Sequence, residues 1–341
     1  MHIIALALRR MAVLALFALA ACGQRHTRVE VRIAGDSVVL AGTLFLPTTA
    51  GPHPGVVIVH GFGAQTRDAY VSFATVFAQH GVATLIYDKR GTGESTGSWQ
   101  HSPFAALADD ASAAVDFLVY RAEVDSTRVG IWGGSEGGWI APWVAARSPR
   151  VAFVVTQSAP VVTAEQQHLF QVEQLVRDAG GTAHDVQRAH DYVRMQLRYA
   201  ATGAGWTEYA RQREANRSGV LGILGGPPTP DDWWWAWSRT RMAFDPLAAW
   251  RSVSVPILAV WGGRDHNVPV EESRAALAKV LRQSGNRSAT LIVIPDANHD
   301  LAPTGLGRVT VLVDRATRRI PYYTPSMNLM AEWIATTTSA R

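Results

Sequence analysis

Short uninterrupted apolar runs recur along this chain, each followed by a segment of helical spacing, and that alternation restricts the fold more than any other feature. Residues 55–60 (GVVIVH) form such a run; residues 68–80 then set Tyr70, Phe73, Val76 and Phe77 on one helical face and stop at Gly81. The unit recurs as 83–87 with 104–120, as 129–132 with 137–146, then as 151–156. Late in the chain it returns as 256–261, 271–281 and 289–294. Continuous apolar runs suit strands buried on both faces, and helices between them build a mostly parallel sheet covered on both sides. Ahead of the first unit, residues 28–34 and 38–46 alternate apolar and polar across Gly35-Asp36, the pattern of an antiparallel hairpin.

The alternation stops between 161 and 252. That stretch is polar and helical at 166–178 and 184–199, rich in Gly and Pro at 222–230, and rich in Trp at 233–237. A structureless loop of such length is improbable in a compact domain, so a helical insertion, a cap or lid over the sheet, is expected. The division is then 28–160 with 253–341 as the core and 161–252 as the cap. A final helix is expected over 329–335.

The N-terminus reads differently. Arg9 and Arg10 precede an apolar run, 11–21, that ends in small residues before Cys22. The run is too short to span a bilayer, and extending it back to Ile3 would bury both arginines at about 2.5–3.5 kcal/mol each. A signal peptide over 1–21 is the better reading. Leu19-Ala20-Ala21-Cys22 resembles the lipobox of bacterial lipoproteins, which implies lipidation at Cys22, a tether over 22–27 and anchoring to the cell envelope. Gly23 in place of an Asp leans towards the outer membrane. Cys22 is the only cysteine, which excludes an internal disulfide, a cysteine-based zinc site and a cysteine nucleophile.

Charge excludes further partners. The 32 basic and 28 acidic residues give a formal +4, reduced to +2 without Arg9 and Arg10, which is too little to argue for nucleic acid. In Asp88-Lys89-Arg90-Gly91-Thr92-Gly93 the third glycine falls at 97 rather than 96, so it is no dinucleotide fingerprint. No metal or phosphate-loop pattern occurs, and neither metal nor cofactor is expected.

Two segments match Gly-x-Ser-x-Gly, around Ser95 and Ser135. A nucleophile elbow lies on a sharp turn between a buried strand and a helix, which lifts the hydroxyl above the sheet. Ser135 has a strand before it and a helix after it; Ser95 lies in a turn-rich loop with Pro103 soon after. The oxyanion hole should then use the Glu136 N–H and one from His60-Gly61-Phe62-Gly63, with Phe62 preferred and Gly63 next. A serine needs a base, and the base an orienting acid, in the chain order Ser, acid, His. Asp265 and His299 each follow a late strand in that order. His266 is a rival base, but it adjoins Asp265. Asp296 and Asp300 are rival acids too close to His299 in sequence to reach Nδ1 easily.

With these residues in place the sequence resembles the α/β-hydrolase superfamily: GVVIVHGFG, IYDKRGTGES, GIWGGSEGG, AVWGGRD and PDANHD fall in its order. It looks most like bacterial serine esterases and acyl-peptidase-like hydrolases, whose elbow often carries Glu after Ser, as Glu136 does. Gly134, where many relatives have His, the long cap and the tail depart from that pattern and bear on the substrate. Branches with an Asp nucleophile are excluded because residue 135 is Ser.

The resemblance implies an esterase or related acyl hydrolase acting on a small-molecule ester. A peptidase of the same fold would need acids in the cap to hold a substrate amine, for which Glu165, Glu173, Asp231 and Asp232 are available. A non-catalytic surface lipoprotein is the third reading, opposed by the intact triad. Substrate contacts are expected from Arg90, although its loop also suits a structural role, and from Trp234 and Trp235, although such clusters also serve as core.

Overall fold

The computed structural model describes residues 26–304 and 324–337. Cys22, the expected signal peptide and most of the expected tether lie outside them. Eight strands form one sheet in the order β1-β2-β4-β3-β5-β6-β7-β8. These are β1 (His26–Ala34), β2 (Val39–Pro47), β3 (His53–Val59), β4 (Ala83–Tyr87), β5 (Val124–Gly134), β6 (Val154–Gln157), β7 (Ile257–Gly262) and β8 (Ala289–Ile294). The hairpin β1–β2 is antiparallel and joins β4 antiparallel; all other pairs are parallel. β5 begins at Val124, earlier than its apolar run, because its polar start pairs with His53 at the sheet's lower end.

Period-two alternation divides each buried strand between two cores. Val57 and Val59 of β3 face one side, with α2 (Phe104–Val119), α3 (Gly137–Arg147) and α9 (Val270–Ser284). Val56 and Ile58 face the other, with α1 (Val71–Gln79) and α10 (Thr324–Thr337). At about 25 cal/mol per Å² of apolar surface, these two layers dominate the favourable side of folding.

Between β6 and β7 the chain inserts α4 (Ala164–Asp178), α5 (Ala183–Thr202), α6 (Trp206–Ala215), α7 (Trp233–Met242) and α8 (Pro246–Arg251). α4 and α5 each open on a capping box, Thr163 with Gln166 and Thr182 with Asp185, which satisfies free N–H groups at the helix start. Their apolar stripes meet around Val176 and Val193. A second cluster stacks Tyr192 and Tyr199 on Tyr209, with Trp235 edge-on to Tyr199 and Tyr209. α8 returns to the main core through Trp250. The insertion thus carries its own small cores.

Candidate active site

The end of β5 turns sharply into α3, and Ser135 sits on the turn with φ of 52°, in the left-handed region. A side chain there costs of order 1–3 kcal/mol and persists where its surroundings over-determine it. Those surroundings are close: a Cβ at Gly137 would meet the carbonyl oxygens of Val59 and His60 at 2.6 and 2.8 Å, so α3 can begin against β3 only as glycine. The Ser135 N–H donates to the Gln157 carbonyl at 2.9 Å, tying the turn to β6.

Two loops on the same side of the sheet bring the other members. Asp265, after β7, is buried; its Oδ1 accepts the N–H groups of Asn267 (2.7 Å) and Val268 (3.0 Å). Its Oδ2 lies 2.8 Å from Nδ1 of His299, after β8. The Ser158 hydroxyl donates to the His299 carbonyl at 2.7 Å and fixes that loop. Burial lowers the His299 pKa, but attraction to Asp265, the hydrogen bond to it and a contribution from Asp300 outweigh burial, and the pKa is raised.

Ser135, Glu136, Phe62 and His299 line one cavity of about 400 Å³. No hydrogen bond joins Ser135 Oγ to the imidazole, a looseness common in catalytic sites without substrate. The backbone N–H groups of Phe62 and Glu136 have no acceptor among the described residues, whereas the Gly61 N–H is held by Gln65 and the Tyr70 hydroxyl. The insertion roofs the cavity with His168, Leu197, Trp234 and Trp237, and Phe62 packs on Trp237 at 4.8 Å between centroids. Among the described residues no group of three His, Cys, Asp or Glu side chains could hold a metal ion.

The family described as serine aminopeptidase, S33 (Hydrolase_4) is matched over residues 50–303. The chain belongs to this family. Esterase EstD of Thermotoga maritima is 25% identical over 280 residues, covering 80% of this chain and 60% of EstD. The quorum-quenching protein AidA of Acinetobacter baumannii is 32% identical over 130 residues, 38% of this chain and 43% of AidA. The chain therefore spans about two fifths to three fifths of these curated relatives. Among solved structures, the hypothetical protein PA2218 of Pseudomonas aeruginosa superposes with a TM-score of 0.53 at 23% identity, covering 86% of this chain and 92% of that one. The esterase Pf2001 of Pyrococcus furiosus superposes at 0.53 and 18% identity, covering 80% and 84%. The likeness is one of fold, the α/β-hydrolase fold.

Not every expected substrate contact reaches the cavity. Arg90 is buried elsewhere, both Asp110 oxygens taking its guanidinium at 2.7 Å while Ser102 and the Ala106 carbonyl take the rest; it is a structural tie to α2. Trp234 lines the cavity, but Trp235 points into the insertion, where its indole N–H donates to the Thr229 carbonyl at 2.9 Å. The rival residues are also placed. His266 faces Asp178 at an exposed edge, and Asp296 is exposed beside Arg264. Ser95 is buried and bonded, while Asp300 lines the cavity next to His299.

Sequence reasoning missed three residues. Arg241 of α7 reaches down to Glu136, its Nε donating to Oε2 at 2.8 Å. Lys89 holds the other oxygen, Nζ to Oε1 at 3.0 Å. His168, whose pKa desolvation lowers to about 4, presents a neutral imidazole to the cavity. These contacts span 47 and 105 residues in the case of Glu136, and no local pattern announces them.

Proposed function

We propose that this hydrolase cleaves carboxylic esters through an acyl-enzyme on Ser135. The observation that carries the reading is the Asp265–His299 hydrogen bond opening on the same cavity as a serine held in a left-handed turn. Ser135 Oγ attacks the ester carbonyl as its proton passes to Nε2 of His299. Asp265 fixes the Nδ1–H tautomer and stabilises the imidazolium. The tetrahedral oxygen accepts hydrogen bonds from the Phe62 and Glu136 N–H groups. Collapse expels the alcohol, which takes the proton from His299; water then enters, gives a proton to the same imidazole as it attacks the acyl carbon, and the acid leaves as His299 returns that proton to Ser135 Oγ.

An ester is favoured over a peptide with a free amine. Glu165 pairs with Arg194, Glu173 with Arg177, and Asp232 caps α7; none of them, nor Asp231, lines the cavity. Glu136 and Asp300 do, but two cations already hold Glu136, and Asp300 stands beside His299, whose imidazolium its charge favours. The wall of Phe62, Leu197, Trp234 and Trp237 suits an apolar acyl or alcohol group. Two relatives named as esterases, EstD and Pf2001, agree with this.

The test is a panel of p-nitrophenyl esters from acetate to palmitate, run beside aminoacyl and prolyl anilides, with fluorophosphonate labelling mapped by mass spectrometry. Ester turnover with label on Ser135 is expected. Faster anilide cleavage would make the protein a peptidase, and an unlabelled Ser135 would remove the mechanism. Export and lipidation at Cys22 belong to the same proposal: mature protein should begin at Cys22 and partition into detergent, and an N-terminus mapped well away from residue 22 would refute it.

A further inference from the structure

Three buried charges meet at the cavity wall, Lys89, Glu136 and Arg241, each no more than 5% exposed; Glu136 and Arg241 line the cavity and Lys89 does not. Arg241 alone would neutralise Glu136, so Lys89 leaves a net positive charge in the interior. Burial lowers the Lys89 pKa while Glu136 pulls it back up, the mark of a cation kept at a cost. A methionine of similar length would avoid that cost.

Its bonds suggest what the cost obtains. Besides Glu136, Nζ donates to the carbonyl oxygen of Gly61 at 2.8 Å, and its remaining side faces the Trp99 ring, 5.4 Å from the centroid. That carbonyl belongs to the same peptide as the Phe62 N–H. A trans peptide is planar, with its C=O and N–H pointing in opposite directions, so a cation on the oxygen fixes where the N–H points. It also draws electron density towards oxygen and strengthens the N–H as a donor. The other bond of Nζ holds Glu136, whose N–H opens α3 at the positive end of the helix dipole. One ammonium thus binds the Gly61 carbonyl of the peptide that carries the Phe62 N–H, and the side chain of Glu136, the residue that carries the second N–H.

We infer that Lys89 is a positioning residue of the oxyanion hole, aligning and polarising the Gly61–Phe62 peptide while anchoring Glu136. The inference rests on the acyl-enzyme reading above. Losing an oxyanion donor outright costs about 10²–10³ in kcat, so weakening both donors should cost roughly 10- to 100-fold.

Lys89→Met should lower kcat by that factor with KM little changed. Its melting temperature should be unchanged or higher, because a neutral Glu136–Arg241 pair remains. Affinity for a trifluoromethyl ketone matching the best ester should fall in parallel with kcat, while affinity for the corresponding ether, which forms no oxyanion, stays constant. Lys89→Gln, which keeps an N–H for Gly61 without the charge, should lie between, and decides the matter if the Met variant does not fold. Full kcat in these variants would overturn the inference, as would a parallel loss of kcat, ether binding and melting temperature, which would mean a structural role only. An inert wild-type protein would overturn the parent reading and this one together; an active wild type with fully active variants overturns this one alone.

Discussion

Ser95 and Ser135 share a five-residue pattern and almost nothing else. Ser95 is 8% exposed, and its hydroxyl is fully occupied: it donates to the Asp88 carbonyl at 2.7 Å and accepts the Ala41 N–H at 2.9 Å, pinning its loop to β2. Ser135 has ordinary backbone bonds, but its hydroxyl makes no hydrogen bond among the described residues and opens on the cavity. A buried carboxylate also accompanies each serine, Asp88 near Ser95 and Asp265 in the loop after β7. Asp88 serves the backbone N–H groups of Arg67 and Glu94, while Asp265 spends one oxygen on backbone and turns the other to an imidazole. What sets Ser135 apart is a hydroxyl left unsatisfied at the end of a buried strand, not the glycine spacing, which both serines share.

The largest test of that contrast is to remove each hydroxyl. Ser135→Ala should cost on the order of 10⁶ in kcat for ester hydrolysis and abolish fluorophosphonate labelling. Ser95→Ala should keep kcat within a few-fold. Steady-state kinetics on one p-nitrophenyl ester compare the two directly, and the opposite ranking would exchange their roles.

Next comes the carboxylate. Asp265→Asn preserves shape but favours the wrong imidazole tautomer, and about 10⁴ in kcat should be lost. Near-normal kcat in this variant would show that the Asp265–His299 bond does not serve the chemistry.

How much of this was legible beforehand follows from where the information lies. The sheet, the elbow and the acid and base loops each depend on one contiguous stretch: an apolar run, a glycine turn, a residue just past a strand end. Ser135, Asp265 and His299 could therefore be placed singly and then ordered. The insertion and the buried charge cluster depend on which way neighbouring side chains face. Arg90 and Lys89 are adjacent, yet one meets Asp110 of α2 and the other meets Glu136. Trp234 and Trp235 are adjacent on a helix, about 100° apart, and only the first lines the cavity. The tail over 305–323 lies outside the described residues.

The two tryptophans give the third test. Trp234→Ala should change the preferred ester length, with kcat/KM for long esters moving by about 10–200-fold against acetate esters, the span that a methylene in an apolar pocket commands. Trp235→Ala should leave that preference alone and instead cost about 3–5 kcal/mol of stability, read from a urea midpoint. An unchanged length profile in Trp234→Ala would move selectivity to the loop around residues 91–102.

In the Ser95 loop the smaller cost is structural. Ser95→Ala strands the Ala41 N–H and the Asp88 carbonyl, so stability should fall by about 1–3 kcal/mol with chemistry intact. A urea midpoint that does not move would mean that water or loop relaxation replaces both bonds.

The smallest effect concerns pH, and its sign follows from the His299 environment. The base must be neutral to accept the serine proton, so kcat/KM rises as pH passes upward through the imidazole pKa. That pKa is raised: burial pushes it down, but Asp265, and then Asp300, stabilise the imidazolium more strongly. The rising limb should therefore sit above the ordinary histidine value of about 6.5. Asp300 lines the cavity without a hydrogen bond to the ring, and it acts on His299 through charge alone. Asp300→Asn removes that attraction at nearly constant shape, so the limb should move to lower pH while the plateau rate changes little. Ser95→Ala, whose loop lacks any link to the imidazole, should leave the limb where it is. A limb that stays fixed in Asp300→Asn would show that solvent screens this carboxylate from the ring and that Asp265 alone holds the imidazole pKa up.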